Sequence, residues 1–138
     1  MLWPLILAAL LALSSVPAEA RSKAADYLVQ EQIAQACEGQ NGRIDPSGAI
    51  ERDITGDGNA DLVISHEGIS CSGNARSSYC GAQVCSVNIY VRRGALLQLE
   101  LETLGTGVSV GGGRVPTIQM HGHGGRPRTL KWDGRGFR

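Results

Sequence analysis

The apolar positions of this chain change their spacing twice. Leu2 to Leu13 is a nearly unbroken apolar run, interrupted only by Pro4. Over residues 22–37 the spacing becomes helical. Leu28, Val29, Ile33, Ala36 and Cys37 recur on one side, while Gln30, Glu31 and Gln35 fall elsewhere. Ser22 can cap the start of this helix and Gly39 can follow its end. Beyond Gly39 the period drops to two. Short strands are expected over 49–54 and 62–69, and Val87, Ile89 and Val91 share one face of a third. After the tight turn Arg92-Arg93-Gly94, Leu97, Leu99 and Leu101 alternate with Gln98, Glu100 and Glu102. Val108 with Val110, Ile118 with Met120 (over 117–121), and Leu130 with Trp132 predict three more short strands. Asp133-Gly134 then turns the chain into a last segment ending at Phe137.

Strands joined by short Gly-rich turns predict an antiparallel meander. The expected fold class is therefore mainly β (α+β): an N-terminal amphipathic helix packed on a twisted antiparallel β-meander or a partly closed barrel. A chain of 138 residues suits one domain. Nineteen Gly against six aromatic residues leave a thin core of Leu, Ile and Val, which needs cross-links to be stable.

The N-terminal apolar run ends in Ser14, Ser15 and Pro17, and Ala18-Glu19-Ala20 follows. An apolar stretch, a breaker and small residues before a cut are the order of a secretory signal. Residues 1–20 are thus expected to be a signal peptide cleaved after Ala20, leaving 21–138 as a single disulfide-bonded, β-rich domain in the periplasm or secreted. Cleavage leaves no apolar run long enough to span a membrane. The remaining chain carries 13 basic and 12 acidic residues. That balance excludes a protein whose main task is to neutralise nucleic-acid phosphates. Six bases gather after Leu104 (Arg114, Arg126, Arg128, Lys131, Arg135 and Arg138), which reads as a solvated strand face.

Cys37, Cys71, Cys80 and Cys85 are an even set in a small exported domain, which predicts two disulfides. Four cysteines allow three connectivities, and spacing does not choose among them. The pairing Cys71 with Cys85 across a hairpin mouth, and Cys37 with Cys80 tying the helix down, is the one we favour from sequence.

One loop carries metal chemistry. In Asp53-Ile54-Thr55-Gly56-Asp57-Gly58-Asn59-Ala60-Asp61-Leu62-Val63, oxygen-bearing residues fall at alternate positions: Asp53, Thr55, Asp57, Asn59 and Asp61. Calcium takes six to eight oxygens, and a tightly curled loop turns alternate residues inward. Gly56 and Gly58 relieve the backbone where the curl is sharpest. Asn59 is expected to give its carbonyl oxygen and the other four their side chains. It is not an EF-hand, whose loop needs a bidentate Glu at position 12, where Ile64 stands.

The run resembles the calcium loops of FG-GAP and VCBS-type repeats, with the pattern D-x-[ND]-x-D-G-x-x-D-[LIV]. The match lies at Asp53, Asp57, Gly58, Asp61 and Leu62, with Thr55 where those loops carry Asn or Asp. The resemblance implies a strand leading in, a loop curled around the ion and an apolar strand leading out. A single copy implies neither a propeller nor a repeat array. The stretches around His66–Cys71, Arg76–Gly81 and Cys85–Val87, with Lys131-Trp132-Asp133-Gly134, resemble small exported bacterial proteins with one such loop. That resemblance brings no catalytic residues with it.

Other constellations read more simply as structure. His121-Gly122-His123 with His66 could offer three nitrogens to zinc or copper, but nothing local brings His66 near the pair. Gly107-Val108-Ser109-Val110-Gly111 has the letters of a hydrolase nucleophile turn without a following helix. Glu100 and Glu102 fall on the solvated side of a strand. The sequence therefore predicts an exported, non-catalytic binding or structural module with a structural Ca2+ ion, and with a protein or polymer partner it does not identify. An envelope protein inhibitor, for example of a cell-wall lytic enzyme, is the alternative; a hydrolase using His66, His121 or Ser109 is the remote one.

Overall fold

A computed structural model describes residues 21–138; the expected signal peptide lies outside the described residues. The helix forms where the spacing places it, as α1 (Lys23–Ala36). Ser22 Oγ accepts the Ala25 N–H at 3.2 Å, which satisfies one of the free donors of the first turn. At the other end Gly39, with φ +80°, lets its N–H turn back to the Ala34 carbonyl at 2.9 Å. Ala25, Val29, Ile33 and Ala36 form the buried stripe. Burying Val29 and Ile33 contributes about 1.5–3 kcal/mol each.

Eight strands follow: β1 (Gly42–Ile44), β2 (Ala49–Arg52), β3 (Asp61–Ser65), β4 (Ile69–Cys71), β5 (Cys85–Arg93), β6 (Leu96–Val110), β7 (Ile118–His121) and β8 (Pro127–Leu130). Six of them make one antiparallel sheet in the order β2-β3-β5-β6-β7-β8; β1 and β4 pair separately. The chain is mainly β, and the six-stranded sheet curls into a half-barrel. β6 joins the two halves of the sheet. Its first part pairs with β5 up to Gly105 and its second part pairs with β7 from Thr106 onward.

The sheet has a core on each face. Leu62, Ile64 and Tyr90 meet α1, together with Ile69 and the partly buried Leu97. Val63, Val87, Ile89, Ile118, Met120 and Leu130 fill the concave side, with Ile54 from the loop after β2.

Several expectations are corrected. The strand expected over 62–69 is two strands, because a short turn at His66–Gly68 redirects the chain from the large sheet to the small one. Val108 and Val110 do not form a strand of their own but end β6. The leucines of β6 do not share one face. A bulge leaves Glu100 without a partner, so Leu101 pairs with Ile89 while Leu99 pairs with Tyr90. One extra residue in a period-two pattern moves everything beyond it to the opposite face.

The disulfide pairing is also different. Cys37 joins Cys71, and Cys80 joins Cys85. Cys37 closes α1 directly over β4, where Cys71 stands opposite Gly42. A Cβ at residue 42 would lie 2.6 Å from Cys37 Sγ, so glycine makes room for the bridge. Cys80 and Cys85 face each other across a tight turn, with Cα atoms 4.0 Å apart. The helix is thus tied to the small sheet, not to the hairpin.

Candidate functional site

Residues 53–60 connect β2 to β3, which are paired at their ends through Arg52 and Asp61. The loop curls because its own carboxylates collect its backbone N–H groups. Asp53 Oδ1 accepts from Thr55 N (3.0 Å) and Gly56 N (2.8 Å), and its Oδ2 accepts from Gly58 N (2.8 Å). Asp57 Oδ1 accepts from Asn59 N at 2.9 Å. These are short-range turns of the kind that aspartate forms with residues just ahead of it. Gly56 and Gly58 both adopt positive φ, +81° and +86°, which the curl requires.

Asp61 closes the loop from the strand side. It is fully buried, and its Oδ2 accepts from Ile54 N (2.9 Å) while its Oδ1 accepts from Arg92 N (2.8 Å). Two backbone donors from different elements therefore hold this carboxylate in place. The Arg92 side chain extends the tie. Its Nε donates to the Ala60 carbonyl at 3.2 Å, and its Nη2 reaches Glu51 Oε2 at 3.3 Å and Ser22 Oγ at 3.2 Å. Glu51 in turn accepts from Ser22 N (2.8 Å) and Ser22 Oγ (2.5 Å). Arg92, read from sequence as a turn residue, so links the loop to the start of α1.

The consequence is that carboxylate oxygens of Asp53, Asp57 and Asp61 lie within 4.8 Å of one another. Two oxygens bound at about 2.3–2.6 Å on opposite sides of one ion stand about 4.6–5.2 Å apart. The trio could therefore hold a metal ion. Oxygen-only donors suit a hard cation such as calcium or magnesium better than a soft one. Among the described residues it is the one such group of three or more His, Cys, Asp or Glu side chains.

Thr55 is also drawn in. Its hydroxyl lies 3.4 Å from Asp53 Oδ1 and 3.3 Å from Asp61 Oδ2. Asn59 is exposed, and it is its N–H that engages the loop, through Asp57.

The electrostatics of the two anchoring acids differ. Partial burial works against the charge on Asp53. The N–H groups of Gly58, Gly56 and Thr55, with the Thr55 hydroxyl, outweigh it and hold this carboxyl below its ordinary value. Burial raises the Asp61 carboxyl; the N–H groups of Arg92 and Ile54 oppose the rise, and the charges of Asp57 and Asp53 add to it.

The histidines part company. His66 is buried, with 1 % of its surface exposed, and lies between two side chains sequence reading did not connect to it. With Gln32 presenting Oε1, His66 Nε2 carries the proton and donates to it at 2.7 Å. Nδ1 then accepts from the Ser77 hydroxyl at 2.7 Å. Gln32 Oε1 also accepts from Asn88 Nδ2 at 3.1 Å. Burial pushes His66 down to about 4, so the ring is neutral near pH 7. His121 pairs with Thr106 and Ser109 with Gln119 across β6 and β7. The hydroxyl on His66 is thus that of Ser77, not Ser109.

The sequence missed this network because Gln32 and Asn88 read as ordinary polar positions on a helix and a strand. The available signal was Asn88 itself, a polar residue in an otherwise apolar strand segment. No family model, curated protein or solved structure matches the chain.

Proposed function

We propose that this chain is an exported, non-catalytic binding or structural module whose loop 53–61 holds a structural Ca2+ ion. The observation that supports this reading is the approach of the Asp53, Asp57 and Asp61 carboxylates to within 4.8 Å of one another at the mouth of a hairpin. Three carboxylates at that spacing repel one another, and a divalent cation turns the repulsion into attraction. The Thr55 hydroxyl and the Asn59 carbonyl are the further donors, with the FG-GAP-like order of residues behind them.

The export reading rests on the signal-like residues 1–20 and on chemistry in the described chain. Both cysteine pairs are bridged, which is compatible with an oxidising compartment. No helix among the described residues is long and apolar enough to cross a membrane.

A calcium titration of thermal stability tests the site. At an affinity of about 0.1 mM and about 1 mM calcium, the ion adds about 1.4 kcal/mol, a shift of several degrees for a domain of this size. Asp57→Asn, at an exposed position, removes the shift while the chain stays folded. An unchanged melting temperature up to about 10 mM calcium rejects the ion site.

A further inference from the structure

Two turns and the middle of β6 border a cavity of about 330 Å³ beside the concave core. The turns are Pro46–Gly48, after β1, and His66–Gly68, after β3. Their backbones touch. A Cβ on Gly68 would lie 2.9 Å from the Gly48 Cα, and the Asp45 N–H donates to the Gly68 carbonyl at 2.8 Å. Asp45, Ser47, Ser65, Glu67 and Ser70 line the cavity with Val108, and no Lys or Arg does. Its volume is at the lower end of the range for small-molecule sites, about 300–1,000 Å³.

Ser65 sets the chemistry. Side chains alternate along β3, so Ser65 shares the face of Val63. It stands opposite Val87 and points to the concave side, where Val108 packs. The residue is 4 % exposed, and its hydroxyl has no hydrogen-bond partner among the described residues. Buried hydroxyls in folded proteins are nearly always matched. This oxygen is not sealed off: the unpartnered side-chain atoms that are fully enclosed are Arg21 Nε and Asn88 Oδ1. It is therefore open to a guest in the cavity it lines. The two carboxylates are held in place, each by one oxygen. Asp45 Oδ1 accepts from Ser47 N (2.9 Å) and Ser47 Oγ (2.7 Å), which leaves Oδ2 to a guest. Glu67 Oε2 accepts from the Gly107 N–H of β6 at 2.8 Å, which leaves Oε1.

We infer that this cavity binds a neutral polyol, a single sugar ring with adjacent hydroxyls. A hydroxyl both donates and accepts, so a polyol can match the Ser65 and Ser70 hydroxyls in either sense while donating to the free carboxylate oxygens. Hydrogen bonds to ionised acceptors are the strong ones. Val108 suits the C–H face of the ring. An anion meets two carboxylates with no base to offset them. An ammonium only donates, which leaves the Ser65 proton without an acceptor. The inference stands on these turns and β6 and does not depend on the calcium loop.

Four probes separate these cases: methyl β-D-glucopyranoside, tetrahydropyran-2-methanol, sodium glucuronate and cyclohexylammonium chloride. Each is titrated into the mature chain in calcium-free buffer while the backbone amide NMR signals of Gly48, Gly68 and Gly107 are followed. The glucoside is expected to shift all three saturably in the millimolar range, with the single-hydroxyl ring at least about tenfold weaker and glucuronate inert. Ser65→Ala should weaken the glucoside by about tenfold without lowering the melting temperature of the free protein, because the lost hydroxyl had no partner. Undiminished binding by Ser65→Ala, saturation by glucuronate, tighter binding of cyclohexylammonium, or no saturation by about 200 mM glucoside overturns the proposal.

Discussion

The loop at 53–61 and the network around His66 are both polar sites set against a hydrophobic core, yet they are assembled in opposite ways. The loop is local. Its acids bind N–H groups two to seven residues away, and only the Arg92 N–H comes from far along the chain. The His66 network is assembled from distance: Gln32 on α1, Ser77 in the connection after β4, and Asn88 on β5. A local site announces itself in residue spacing. A non-local one exists only once helix and sheet have docked, and it is lost when they separate.

That contrast is broken most forcefully at the helix. The Cys37–Cys71 bridge closes a loop with a sequence separation of 34 residues, whereas Cys80–Cys85 spans 5. On chain-entropy grounds the first is worth about 4 kcal/mol and the second about 2. Cys37→Ala/Cys71→Ala should therefore lower unfolding stability by about 4 kcal/mol in denaturant titration, roughly twice the loss from Cys80→Ala/Cys85→Ala. It should also expose the His66 network to hydrogen exchange before the loop. Equal losses from the two pairs would mean that docking of α1 does not depend on its bridge.

Acid should distinguish the two sites next. His66 ordinarily titrates near 6.5 and is held at about 4 in the folded chain. The unfolded chain thus takes up this proton first as pH falls. The stabilisation from keeping the ring neutral is complete above about pH 6.5 and is lost progressively down to about pH 4, amounting to about 3 kcal/mol. Comparing denaturation of wild type and His66→Gln at pH 7 and pH 4.5 isolates it from the carboxylates. The variant should be less stable at pH 7 and lose less than wild type on acidification. Parallel losses would show that His66 is not buried neutral.

A smaller effect is expected at Asp61. Asp61→Asn replaces a carboxylate that accepts from two backbone donors with an amide having one oxygen, leaving the Ile54 or Arg92 N–H poorly matched. Loss of about 1–3 kcal/mol follows, measured by chemical denaturation without calcium. The smallest effect is at the edge of the loop. Thr55→Asn supplies an amide oxygen in place of a hydroxyl and should tighten calcium by a few fold, about 0.5–1 kcal/mol, read by calorimetry. A weaker site would show that the Thr55 hydroxyl matters as a hydrogen-bonding partner between Asp53 and Asp61 and not as a replaceable ligand.

Much of the architecture was legible from periodicity. α1 lies within the expected residues 22–37, and the Val87-Ile89-Val91 alternation faces the concave core through Val87 and Ile89. The three loop aspartates were legible as a group because they stand at alternate positions of a Gly-rich curl, although Asn59, at another such position, is exposed. Where reading failed, one inserted residue or one long-range pairing was responsible. Glu100 breaks the leucine alternation, and nothing in the sequence marks it as the bulge.

What the sequence alone determined is therefore the local material: a capped amphipathic helix, strands of period two, four cysteines destined for two bridges, and an acid-lined loop. These follow from interactions among residues close along the chain. Which cysteines meet, which side of β6 each leucine takes, and that Gln32, His66, Ser77 and Asn88 form one network were decided by tertiary structure. Those outcomes depend on how a helix and a curled sheet settle against each other, and packing energy is a property of surfaces brought together, not of any single segment.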